Sequence, residues 1–139
     1  MRTRNIIIGV GIGAVVMTAF IILYRKMRLT AFKKRMIYNA NREWELWGKP
    51  IREVSGSFEG GATECTPIYK ERVGEYWRKG TNRNIDGCDQ GTPWSSAFIS
   101  FIMKKSGAGN EFVYSSSHSK YIRDAISNTK SGQKHTFMA

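Results

Sequence analysis

Nineteen consecutive residues, Ile6 to Tyr24, carry no charge, and Thr18 is their only clearly polar side chain. As an α-helix rising about 1.5 Å per residue they would span roughly 28 Å, close to the hydrocarbon thickness of a bilayer. A core helix of this length normally shows a polar face, and this one has none. The sequence therefore predicts a single transmembrane helix over residues 6–24, behind a short basic N-terminus at residues 1–5. A cleaved signal peptide fits less well, because its apolar run is only about 7–15 residues and ends in a small-residue cleavage site. Here the run ends in Tyr24-Arg25-Lys26-Met27-Arg28, a stop-transfer pattern. Gly9, Gly11 and Gly13 lie inside the apolar run with no strand before them, which excludes a phosphate-binding loop. Gly9 and Gly13 fit small-xxx-small packing and mark a face for helix-mediated self-association.

The formal net charge is +11, and most of it sits beside this segment. Arg25, Lys26, Arg28, Lys33, Lys34 and Arg35 form an acid-free basic cluster, whereas Met36 to Ala139 holds 14 Lys and Arg against 11 Asp and Glu. A juxtamembrane cluster of this kind is expected to hold the anionic headgroups of a lipid bilayer, at about 1 kcal/mol per near-surface charge. Nucleic acid is not the expected partner, since no aromatic-interleaved basic face or known module accompanies the charge. The positive-inside rule places the domain after the cluster in the cytoplasm.

Residues 25–47 carry Leu29, Phe32, Met36, Ile37, Trp44 and Trp47 at roughly helical spacing. They read as a basic juxtamembrane helix, continuous with the first and ending before Gly48-Lys49-Pro50. Residues 48–66, rich in Gly and Ser, read as a flexible loop. The remainder, 67–139, is one small domain. A helix is predicted from Pro67 to Lys79, with Thr66 as cap and Gly80 after its end. The polar stretch Gly80–Gly91 lacks the acid pattern of a calcium loop. The next helix has the clearest punctuation: Thr92 as cap, Pro93 in first position, Lys104 and Lys105 in the last turn, and Gly107 to close it. Trp94, Ala97, Phe98, Phe101 and Ile102 make it the central helix, with Ser95 in its first turn. A last helix runs through Tyr121, Ile122, Ala125 and Ile126. No period-2 strand is legible.

Cys65 and Cys88 are the only cysteines, and their spacing of 23 residues is not that of a metal site. Two free thiols, or a disulfide in an exported domain, are both open. No cofactor or metal is expected.

Three runs, GEYWRKG, DGCDQGTPWSSAFISFIMKKSG and FVYSSSHSKYIRDAI, together with NREWELWG upstream, resemble an uncharacterised bacterial and phage domain family over about Ala40 to Ile126. That family is similar in turn to the NlpC-type and CHAP cell-wall peptidases and amidases. The resemblance implies an α+β, papain-like fold, of which this chain would supply the N-terminal, mostly helical half behind its transmembrane helix. In those enzymes a Trp-Cys-Ala-Ala-Phe-like segment sets the nucleophilic cysteine at a helix start, and Ser95 stands at that position here. A serine hydroxyl needs a positioned general base, because a helix dipole cannot make it an alkoxide. His118 and His135 are the candidates, and His118 lies 23 residues on, ahead of a helix instead of on a strand.

Two functions follow as expectations. One is a membrane-anchored relative of the cell-wall hydrolases, acting on or binding peptidoglycan, with Ser95 and His118 as catalytic residues. The other is a non-enzymatic, membrane-anchored structural or interaction protein of phage or secretion-system origin. The cell-wall resemblance requires the domain outside the cell, against the charge rule.

Overall fold

The computed structural model describes residues 2–52, 58–59, 63–89, 91–131 and 137, with the side chains of 15–50, 63–89, 91–131 and 137. Four helices follow one another: α1 (Arg2–Leu46), α2 (Pro67–Thr81), α3 (Ser95–Lys105) and α4 (His118–Lys130). A 3-10 turn at Gly109–Glu111 separates the last two. Among the described residues the only strand pairing joins β1 (Ile51–Arg52) to β2 (Phe58–Glu59), antiparallel, with Ile51 opposite Glu59. Two residues a side make no sheet that could carry a catalytic group. The α+β expectation is thereby corrected to a helical fold, in line with the absence of any period-2 segment.

The membrane expectation is also corrected. Residues 6–24 and 25–47 form one continuous helix to Leu46, yet among the described residues no helix is long and apolar enough to cross a membrane. The side chains of residues 6–14, with Gly9 and Gly13, lie outside the described residues. The single-pass localisation is thus not carried by this helix. Two members of the basic cluster have partners within the protein. Arg35 Nε donates to the Ser106 carbonyl at 2.9 Å, and Arg28 lies 3.9 Å from Glu111.

The C-terminal half of α1 is the spine on which the domain assembles. Its residues 32, 35, 36, 39 and 43 recur at helical spacing and turn one face to α3. Phe32 is buried with Met103, Ala108 and Phe112, while Met36 packs against both this cluster and a larger one formed by Val73, Tyr76, Trp77, Ala97, Phe101 and Ile102. Polar anchors are interleaved. Asn39 Nδ2 donates to Ser106 Oγ at 3.0 Å. The Glu43 carboxylate, 1% exposed, receives Arg72 Nε at 2.7 Å, Tyr76 Oη at 2.8 Å and Lys105 Nζ at 3.3 Å. A buried charge held this way ties α1, α2 and α3 at one point. Gly48, at φ 75°, then ends the helix.

α2 runs two residues beyond its expected end, because Gly80 is a packing residue and not a stop signal. A Cβ there would lie 2.6 Å from the Ala97 carbonyl oxygen and 2.8 Å from the Phe101 nitrogen, so α2 and α3 cross almost backbone to backbone. Asn82, at φ 59°, takes the left-handed position that closes the helix.

Candidate functional site

Four features deliver Ser95 to its place. The Cys65–Cys88 disulfide, with Cα atoms 4.5 Å apart, ties the loop after α2 to the residues just before it. Asp86 organises that loop: its carboxylate accepts the Cys88 amide at 2.9 Å and pairs with Lys70 at 3.2 Å. The Cys88 N–H, and after it Lys70, hold this exposed carboxyl below the usual range. Gly87 closes against the chain at Glu64, where an added Cβ would lie only 2.0 Å from the carbonyl oxygen. Trp94 is then stacked on Trp47, with ring centroids 5.2 Å apart and planes 5° from parallel, and stands edge to face with Phe98. Trp94 is the cap of α3, so Ser95 is its first residue, exposed, two positions nearer the helix start than the Thr92 cap implied. The first intrahelical bond runs from the Phe98 amide to the Trp94 carbonyl at 2.9 Å. The amides of Ser95, Ser96 and Ala97 therefore precede the helix ladder and point out of its positive end.

A serine relay sets His118. Ser100, fully buried in α3, donates its hydroxyl to the Ser115 carbonyl at 3.0 Å and accepts the Ser115 amide at 3.1 Å. Ser115 Oγ in turn accepts the Ser117 amide at 3.0 Å. This chain fixes the segment that enters α4, whose first residue is His118.

The two sequence candidates meet. Ser95 Oγ and His118 Nε2 are 2.8 Å apart, and His118 Nδ1 is hydrogen-bonded to the Tyr121 hydroxyl one helical turn on. The Tyr121 ring packs on Phe112 at 5.3 Å, and burial pushes its phenol above its ordinary value, so it stays neutral through the physiological range. Two tautomers fit this geometry. With the proton on Nδ1, the imidazole donates to Tyr121 and leaves Nε2 as acceptor for the Ser95 hydroxyl, which is the form a general base requires. His135 lies outside the described residues.

Tyr121 carries no catalytic expectation in the sequence reading, where it is an apolar position of the last helix. The signal that could have singled it out is the His-x-x-Tyr spacing, which puts both rings on one face of a helix. The relay through Ser100 and Ser115 has no sequence signal, since buried serines look like surface ones. An open groove of about 330 Å³ lies near the other end of α3, lined by Glu75, Lys79, Phe101, Lys104 and Lys105. Ser95 and His118 are not part of it. Among the described residues no group of His, Cys, Asp and Glu could hold a metal ion.

The model of the family described as "Uncharacterized protein conserved in bacteria (DUF2272)" matches residues 64–139, which include Ser95, His118 and Tyr121. No curated protein and no solved structure matches the chain. The match takes in more than half of the sequence, and the chain belongs to that family.

Proposed function

We propose that this member of the DUF2272 family is an acyl-transfer hydrolase of the bacterial cell wall, with Ser95 as nucleophile and His118 as general base. The observation that carries the reading is the 2.8 Å approach of Ser95 Oγ to His118 Nε2, with the far side of the imidazole occupied by Tyr121. A nucleophile within hydrogen-bond reach of a base that is itself oriented by a third group is the arrangement nucleophilic catalysis needs. The start of α3 contributes the second requirement. Amides of Ser95 and Ser96, outside the helix ladder, are donors for the oxyanion that forms when Ser95 attacks a carbonyl.

Peptidoglycan as the material acted on is supported by the likeness of the Pro93–Phe98 segment to the nucleophile-bearing helix of NlpC-type and CHAP enzymes. The disulfide supports the same side of the cell envelope, because such bridges persist in oxidising compartments and are rare in the cytosol.

The test is covalent labelling of the full-length protein with a fluorophosphonate, read by mass spectrometry. One adduct on Ser95 is expected, absent in Ser95→Ala and strongly reduced in His118→Ala with the fold intact. Digestion of purified peptidoglycan by the same proteins checks the material. No adduct on Ser95, with no Ser95-dependent product, overturns the enzyme and leaves a non-enzymatic interaction protein.

A further inference from the structure

Resting on that reading, the third member of the site narrows the substrate class. His118 Nδ1 offers one position for a hydrogen bond, and the Tyr121 hydroxyl fills it, so no carboxylate can occupy the place that an aspartate takes in a Ser-His-Asp triad. Tyr121 is held there twice, by its position three residues on in α4 and by its ring contact with Phe112. Its phenol is neutral, since burial raises it. A neutral phenol orients the imidazole and accepts from Nδ1–H in the base-competent tautomer, but, unlike an aspartate, it also fits the other one. It supplies no negative charge to stabilise the imidazolium that appears once Ser95 has lost its proton.

That difference weighs unequally on the two common acyl substrates. An amide nitrogen must be protonated by the imidazolium before its bond to carbon can break, so the charged histidine has to persist through the tetrahedral intermediate. An ester expels an alkoxide, a far better leaving group, and asks much less of the acid. We propose that the Ser95–His118–Tyr121 site cleaves carboxylic esters of alcohols and not amides. Both Ser95 and His118 stand exposed at the start of their helices, open to an ester borne on a polymer.

The steps balance with water as the only co-reactant. Ser95 Oγ forms a bond to the carbonyl carbon while its proton passes to His118 Nε2. The carbon–oxygen bond to the alcohol then breaks, and the Nε2 proton leaves with the alkoxide as the free alcohol. Water attacks the acyl-Ser95 ester, gives one proton to Nε2 and adds its oxygen to the carbonyl carbon. The bond between the carbonyl carbon and Ser95 Oγ then breaks, the acid departs, and the proton on Nε2 returns to Oγ.

The experiment measures hydrolysis of glyceryl triacetate, 4-nitrophenyl acetate and 4-nitroacetanilide by the full-length protein, its Ser95→Ala variant and Tyr121→Phe. Both esters are expected to be cleaved in a Ser95-dependent manner, with anilide release no faster than in Ser95→Ala. Removing the Tyr121 hydroxyl while keeping the ring should lower kcat on esters about tenfold, the worth of one ordinary hydrogen bond, with KM unchanged. Ser95-dependent anilide cleavage at a kcat/KM within about a hundredfold of the esters overturns ester selectivity while the hydrolase reading stands. An unchanged kcat in Tyr121→Phe also overturns the inference, because its basis is the phenol. If neither class is cleaved and Ser95 takes no fluorophosphonate, the inference and the reading fall together.

Discussion

Ser100 and Ser115 each satisfy the other: the Ser100 hydroxyl reaches the Ser115 carbonyl at 3.0 Å and receives the Ser115 amide at 3.1 Å, both buried. One side chain on α3 thus takes the place of a backbone partner for a segment that belongs to no sheet and no helix. Because the same α3 begins with Ser95 and the held segment ends at His118, this bond pair sets the distance between the two candidate catalytic groups. In a fold with so little strand, it does for His118 what a β-sheet would do for a histidine on a strand.

Substituting Ser100→Ala leaves the Ser115 N–H and C=O without partners in a place water does not reach. Each unsatisfied group costs about 1–3 kcal/mol, so a loss of about 2–6 kcal/mol is expected in urea denaturation. Under native conditions the variant should label with fluorophosphonate more slowly than the parent, because His118 loses its fixed position. Full labelling speed in a folded Ser100→Ala protein would show that the relay does not position the base.

Gly80 makes a sharper steric prediction. A methyl group there meets backbone atoms of both Ala97 and Phe101, and backbone cannot rotate away. Gly80→Ala should therefore destabilise the protein by about 1–3 kcal/mol through overpacking, despite the better helix propensity of alanine. A thermal melt equal to or above that of the parent would exclude this close α2–α3 crossing.

How legible this was differs residue by residue. The helices of the domain were readable because Pro67, Pro93, the closing lysines and Gly107 punctuate them and their apolar faces recur at helical spacing. Ends were displaced where a residue had a second use: Gly80 reads as a terminator and serves as a contact, while Thr92 reads as a cap and Trp94 occupies that place. Ser95 stands out by the resemblance of its surroundings to a nucleophile segment and His118 as one of the two histidines that could serve it as base, and the structure brings the two within a hydrogen bond. The partner of His118 was hidden, since a tyrosine in an amphipathic helix looks like core. The papain-like sheet was an import from the resemblance, with no alternating segment to support it. The apolar run at the start of α1 suggests a span by its composition, whereas among the described residues no helix is long and apolar enough to be one.

Acid should act through Glu43. Burial pushes its pKa up, but hydrogen bonds from Arg72, Tyr76 and Lys105, with the Arg72 charge, outweigh it and leave the carboxyl below its ordinary range. A depressed carboxyl contributes stability that is fully present above the unfolded-state value of about 4.3 and is lost as pH falls through the folded value. Glu75, lowered chiefly by Lys79, adds to the same acid limb with the opposite side of Arg72. Glu43→Gln should cost about 1–3 kcal/mol at neutral pH, because Arg72 and Lys105 lose the buried carboxylate between them while Arg72 keeps Glu75. It should also flatten the fall in stability as the pH drops below about 4.3. Urea midpoints measured in both proteins from neutral pH down through the acid limb check it, and parallel curves would remove Glu43 as the acid-sensitive group.

The disulfide gives the last prediction. Cys65 and Cys88 enclose 23 residues of separation that contain the whole of α2 and the first half of the loop leading to Ser95. Cross-linking a loop of that size removes about 3 kcal/mol of conformational freedom from the unfolded chain. Its removal in Cys65→Ser/Cys88→Ser should lower stability by about that amount. The effect on the site should be smaller than this loss suggests, since Trp94 remains stacked on Trp47 and the Ser100–Ser115 pair is untouched. The expected result is therefore a lower melting temperature with Ser95 labelling retained below the transition. If labelling disappears while far-ultraviolet circular dichroism shows the helices intact, the bridge holds Ser95 in register as well as the fold, and the Trp47–Trp94 stack alone is not sufficient to place the start of α3.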